Sequence, residues 1–171
     1  GDLDNFKGLN DTYGHTHGDT ALRALGLALT NSLRSQDRNY TARGRTEKRN
    51  GSSVANFLEE KRAARFGGEE FIIPLKGVTP ERAADIAERV RRTIAGLDIG
   101  YAQPILSEPS EGKKLYHRPP NQIQASLGVA TFPQDANSTT ELLKCADTAL
   151  YHAKNEGRNR VVSYTPEMKN K

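Results

Sequence analysis

Arg65-Phe66-Gly67-Gly68-Glu69-Glu70-Phe71 is the stretch from which the rest of the chain can be read. Ala63 to Phe66 and Glu69 to Leu75 are apolar or β-branched runs flanking Gly67-Gly68, the spacing of a two-residue hairpin with both glycines at its tip. A sheet is therefore required, and it carries two carboxylates just after its turn. A second acidic pair, Asp2 and Asp4, stands at the end of a short buried strand. Carboxylates converging from a strand end and a hairpin tip can hold Mg²⁺ together with a nucleoside triphosphate, because Mg²⁺ takes oxygen ligands and keeps phosphates and waters in its shell. Either cluster alone reads more readily as surface acids at turns. Glycines without Cβ atoms would let a nucleotide approach the hairpin backbone.

Outward from the hairpin, the pattern alternates helices with strands. Asp4 or Asn5 can cap a short helix through Leu9 that Gly14 ends, and Gly18-Asp19-Thr20 opens a second helix with Leu22, Leu25, Leu29 and Leu33 on one face. Thr79-Pro80 starts a third, whose apolar stripe is Ala83, Ile86, Ala87, Val90 and Ile94. Ile123, Ala125, Leu127 and Val129 alternate as a strand. Ser138-Thr139-Thr140-Glu141 is a capping box for a fourth helix through Leu142, Ala146, Ala149, Leu150 and Ala153, with Gly157 as its stop. Arg160 to Tyr164 form a last strand. Lys154 and Arg158, four apart across that helix end, complement its dipole or grip a triphosphate. Lys7, in a helix whose first N–H groups lack partners, can join the same anion.

Length and charge bound the class. With 171 residues, 35% of them hydrophobic, the chain suits one domain with one core and is too apolar for disorder. No run reaches the ~18 apolar residues of a membrane span, and the start has no signal-peptide core. The single cysteine, Cys145, excludes an internal disulfide framework and fits a reducing cytoplasm. Of the net charge of +4, the segment from Arg38 to Arg65 carries +5, from eight basic and three acidic residues. That stretch has no aromatic interleaving or nucleic-acid motif, so it reads as a solvated basic loop rather than a nucleic-acid surface. Residues 38 to 62 lack sustained periodicity and form a basic insertion, and residues 100 to 121, with four prolines, form a second irregular one.

Six ordered motifs together resemble a known family. They are Asp2-Leu3-Asp4-Asn5-Phe6-Lys7, Asn10-Asp11-Thr12-Tyr13-Gly14-His15, Gly18-Asp19, Arg65 to Phe71, Ala146 to Lys154, and Gly157-Arg158-Asn159. The chain resembles a GGDEF domain, the diguanylate cyclase, with its signature in the GGEEF form. The resemblance implies an α/β (α+β) fold with a central, mainly antiparallel sheet flanked by helices, like the nucleotidyl-cyclase palm. It implies two Mg²⁺ (or Mn²⁺) ions per GTP site, held by Asp2, the carbonyl of Leu3, Glu69 and Glu70, with Glu69, Glu70 and Asp2 catalytic. Asn10 and Asp19 match the guanine contacts; a carboxylate can accept both N1–H and N2–H₂ of guanine, a donor pair adenine lacks. Lys154 and Arg158 match the phosphate clamps, joined by Lys7, Phe6, Gly67 and Gly68. Asp11, Gly14 and His15 shape the turn before Asp19.

By the same resemblance two GTP-loaded domains face each other as a homodimer and close cyclic di-GMP, releasing two pyrophosphates. The family's first strand, and the sensor or regulatory domain that usually precedes it, would lie before Asp2. A product-inhibition site of Arg-x-x-Asp form is expected shortly before the signature; Leu58-Glu59-Glu60-Lys61 occupies that offset, while Arg34-Ser35-Gln36-Asp37 fits the pattern farther upstream. Arg34 and Asp37 are thus an inhibitory pair if residues 38 to 62 loop out, or a helix-end salt bridge if they do not. The rival readings are an inert module that binds GTP or cyclic di-GMP to regulate a partner, and a nucleic-acid-binding module using the basic stretch. Intact Asp2, Glu69, Glu70 and Lys154 favour the cyclase, acting in the cytoplasm.

Overall fold

The computed structural model describes residues 1–33, 64–105 and 118–170. Arg34, Asp37, the basic insertion at 38 to 62 and most of the second insertion lie outside the described residues. In chain order come β1 (Asp2–Leu3), α1 (Phe6–Tyr13), α2 (His15–Ser32), β2 (Ala64–Gly67), β3 (Glu70–Ile72), α3 (Pro80–Ala95), β4 (Ala125–Val129), α4 (Thr139–Asn155) and β5 (Val161–Ser163), followed by a 3₁₀ turn (Pro166–Asn170). The strands form one sheet in the order β2-β3-β1-β4-β5. Every pair is antiparallel except β4 with β5. The expected mainly antiparallel sheet is present, and β1 lies at its centre.

Alternation along β4 divides the sheet's two faces. Ala125 and Leu127 enter a core with Leu3, Leu9, Leu25, Leu29, Phe71, Ile86, Val90 and Ile94, which binds α1, α2 and α3 to the sheet. On the opposite face Gly128 lies against α4: a Cβ there would run into the helix backbone at Ala146 and Leu150. Glycine is required at that crossing because the helix rests directly on the strand. Cys145, Ala149 and Tyr164 form a smaller core on the α4 side.

Helix ends follow the sequence signals where the cap is a side chain. Thr79 accepts from the N–H of Arg82 with Pro80 in the first turn, and all five stripe residues of α3 are buried. Ser138 accepts from the N–H of Glu141 at 3.2 Å, while Glu141 reaches back to the N–H of Asn137 at 3.0 Å, one residue beyond the usual capping-box partner.

Several expected boundaries move. The second helix begins at His15, not at Gly18-Asp19-Thr20, because Gly14 alone makes the break with φ 85. The first continues past Leu9 to Tyr13, and its N-cap, Asn5, makes no side-chain cap bond. In the hairpin Gly67 pairs with Glu70 across a register irregularity, so the turn is Gly68-Glu69 rather than Gly67-Gly68. Gly68 has φ 50, and Arg65 Nε donates to its carbonyl at 2.6 Å, closing the turn. β3 ends at Ile72 instead of Leu75, two residues before Pro74, which has no N–H to give a ladder. Ile123 is buried but precedes β4. Among the described residues no helix is long and apolar enough to cross a membrane.

Candidate active site

The central position of β1 brings the acidic clusters together. Asp2 stands opposite Glu70 in the antiparallel register, and the N–H of Leu3 donates to the carbonyl of Glu69 at 3.3 Å. Asp2 is 5% exposed, Glu69 half-buried and Glu70 exposed. Like charges directly opposed across a ladder are destabilising, so the arrangement has to be compensated. Lys154 compensates it, its ammonium 2.9 Å from the Asp2 carboxylate. Burial nevertheless pushes the Asp2 carboxyl above its ordinary value; Lys154 pulls it back down, and the charges of Glu69 and Glu70 add to the rise.

Among the described residues no three acidic, His or Cys side chains meet closely enough to cage a metal ion. The donors are nonetheless hard carboxylate oxygens around one buried charge. Mg²⁺ typically uses one or two carboxylates plus substrate phosphates and water, so this set fits an ion that arrives with its nucleotide.

Asp4, grouped with Asp2 in the sequence, has a different task. Its Oδ1 accepts from Ser126 Oγ at 2.7 Å and its Oδ2 from the N–H of Asn159 at 2.9 Å, fully inside the protein. These bonds fasten the turn after α4 to the end of β1, next to the Lys154–Asp2 pair. Arg158 and Asn159 in that turn are left-handed, at φ 64 and 45. Arg91 of α3 donates to Asn159 Oδ1 at 2.7 Å. Sequence reasoning did not find Ser126 or Arg91, since a serine on an alternating strand and an arginine on a helix face carry no signal until their partners are known.

Asn10 lies on α1 and Asp19 on α2, on either side of the break at Gly14. Asn10 Oδ1 is buried and, among the described residues, accepts from no side chain or backbone group, an orphan acceptor that fits a ligand donor. A Cβ on Gly18 would collide with that same Oδ1, so the glycine makes room for Asn10. Asp19, one residue on, is exposed. Lys7 is exposed and pairs with Asp11 at 2.7 Å. The Phe6 ring is 9% exposed and belongs to the core, leaving its backbone as the part able to meet a phosphate. Among the described residues nothing lies within 4 Å of where a Cβ on Gly67 or Gly68 would sit, so the hairpin tip is open to them. A cavity of about 510 Å³ between the sheet and α3 and α4 is lined by Phe71, Ile73, Leu75, Leu127, Val129 and Leu143 among others, and by none of the candidate residues.

A helix-flanked, mainly antiparallel sheet with carboxylates meeting on its central strand and hairpin has the layout of a nucleotidyl-cyclase palm. The sequence profile described as "Diguanylate cyclase, GGDEF domain" matches residues 1–48 and 52–160, and the chain belongs to this GGDEF family. It is 32% identical over 160 residues to diguanylate cyclase A of Treponema denticola, covering 94% of this chain and 33% of that protein. To the biofilm architecture maintenance protein MbaA of Vibrio cholerae it is 37% identical over 166 residues, covering 96% and 17%. The chain therefore spans a third or less of these curated relatives. The solved structure of the active GGEEF domain of a diguanylate cyclase from Vibrio cholerae superimposes with a TM-score of 0.62 at 26% identity, covering 96% of this chain and 79% of that one.

Proposed function

We propose that the chain is a diguanylate cyclase domain that condenses two GTP into cyclic di-GMP and two pyrophosphates, as the output of a cytoplasmic signalling protein. The observation that carries this reading is Asp2 set opposite Glu70 on the central strand, with Lys154 against Asp2. Asp2, the carbonyl of Leu3, Glu69 and Glu70 would hold two Mg²⁺ or Mn²⁺ ions, which when bound neutralise charge on the transferring phosphoryl group and acidify the attacking hydroxyl. Asp19 accepts N1–H and N2–H₂ of guanine, and the orphan Oδ1 of Asn10 takes a further base donor. Lys154 leaves Asp2 for the triphosphate, joined by Arg158, Lys7 and the backbone of Phe6, Gly67 and Gly68.

In the proposed reaction the 3′-oxygen of one GTP forms a bond to the α-phosphorus of the other, pyrophosphate leaves, and Glu69 accepts the hydroxyl proton. Repeating the step in the opposite sense closes the ring, which requires two copies of the domain face to face. Arg34 and Asp37 are kept as the proposed pair through which the product inhibits, and a regulatory domain preceding the chain as its source of input.

Incubation with GTP and Mg²⁺, with products separated by chromatography, tests the reading. Cyclic di-GMP should form from the parent and disappear in Glu69→Gln, whose fold should persist because Glu69 sits in a hairpin turn. Unchanged synthesis by that variant would remove Glu69 from the mechanism.

A further inference from the structure

Arg158 and Asn159 occupy left-handed backbone at φ 64 and 45, a region costly for an arginine and better tolerated by an asparagine, and surrounding bonds hold the pair there. Three bonds do so. The N–H of Arg158 donates to the carbonyl of Ala153 and that of Asn159 to Asp4 Oδ2, each at 2.9 Å, and Arg91 Nη1 donates to Asn159 Oδ1 at 2.7 Å. The first two come from parts of the site already described. The third comes from α3, which carries no candidate nucleotide ligand.

Arg91 is itself rigidly held. Its Nε and Nη2 form a two-pronged pair with Glu88 Oε2 and Oε1, both at 2.8 Å, one turn back on the same helix. The planar guanidinium thus spends one edge on Glu88 and aims its remaining nitrogen at Asn159, a direction a flexible ammonium would not keep. Charge-assisted bonds of this kind fix geometry as well as adding energy.

We propose that Arg91, oriented by Glu88, is a positioning residue for the phosphate-gripping turn: it holds Asn159, and through it Arg158, in the left-handed conformation that presents the Arg158 guanidinium to the triphosphate. The proposal rests on Arg158 being a phosphate ligand. It predicts an effect confined to the phosphate end of the substrate, which a general loss of stability would not produce.

The test measures equilibrium binding of 3′-deoxy-GTP, which lacks the attacking hydroxyl, and of 3′-deoxyguanosine, which lacks phosphates as well. Arg91→Met should weaken the triphosphate about tenfold and leave the nucleoside unchanged. Adding Asn159→Gly to Arg91→Met should recover most of the loss, since glycine takes a positive φ without strain and leaves no orphan acceptor. Should Arg91→Met not fold, Asn159→Ala, a change in a surface turn that removes the acceptor of Arg91, should show the same selective loss. Equal weakening of both ligands, or of neither, overturns the proposal, as does a double variant in which Asn159→Gly rescues nothing. Arg158→Ala separates the two claims. If it leaves triphosphate affinity intact the phosphate role of Arg158 fails, and if it weakens binding while Arg91→Met does not, the positioning role alone fails.

Discussion

Asp2 on β1 and Asp4 in the turn just after it show how little a residue type says before its neighbours are known. Asp4 has both oxygens occupied by Ser126 and Asn159, whereas Asp2 has Lys154 on one side and two glutamates on the other. The sequence grouped them as two acids at the end of one short buried strand; what separates them is contributed from Ser126 on β4 and the turn after α4, more than 120 residues away. A carboxyl raised by burial binds its proton more tightly folded than unfolded, so Asp2 weakens the fold as pH climbs from its ordinary value through the raised one. Asp2→Asn should therefore raise stability at neutral pH, flatten that slope and abolish cyclic di-GMP synthesis. A thermal melt across pH beside the activity assay checks all three. Gly18→Ala is the complementary case. Helix propensity favours alanine by about 1 kcal/mol, but the new Cβ must displace Asn10 Oδ1, with an overpacking cost of about 1–3 kcal/mol. The net should lie between neutral and about 2 kcal/mol destabilising because these oppose each other, while the preference for GTP over ATP should collapse. Nucleotide competition read at equal protein folding decides it; an intact preference would remove Asn10 from base selection.

At the scale of elements, legibility tracked whether the signal was local. The stripe of α3 and the caps of α3 and α4 were readable because a hydroxyl, a proline or a periodic apolar face acts within one or two turns. The start of α2 was misplaced because Gly18 looked like a helix opener. Its lack of Cβ serves a neighbouring helix instead. The hairpin turn slipped by one residue for a similar reason: two adjacent glycines do not reveal which of them has the positive φ, and the answer, Gly68, depends on a register irregularity in β2. Within α3 the Glu88 carboxyl is held at about 2 instead of 4.5, chiefly by its bond to Arg91, then by Arg92. A depressed carboxyl stabilises the folded form fully above its ordinary value and loses that contribution as pH falls from about 4.5 toward 2. Glu88→Gln should thus lower the thermal midpoint at pH 7 but converge on the parent near pH 2. A constant difference across the range would mean that the pair contributes through packing rather than charge.

On the scale of the whole molecule, one copy supplies one set of the proposed nucleotide ligands: one central Asp2, one hairpin with Glu69 and Glu70, one Asn10 and one Asp19. Cyclic di-GMP needs two phosphodiester bonds formed in opposite senses, and a bound GTP cannot direct its 3′-hydroxyl onto its own α-phosphate to make them. Two copies related by a twofold axis satisfy the chemistry, since each then offers an acceptor phosphate to the other's hydroxyl. Assembly and catalysis are consequently inseparable in this reading. At protein concentrations below the dimer dissociation constant the initial rate should rise with the square of protein concentration, and above it linearly. Mixing parent with an equal amount of Glu69→Gln sharpens the test. Random pairing leaves about a quarter of dimers with two intact sites, so cyclic product should fall to about half of the same amount of parent alone. Mixed dimers, able to form only one of the two bonds, should accumulate a linear dinucleotide. A rate linear in protein from the lowest concentrations, with no linear product in the mixture, would show that ring closure occurs within a single copy.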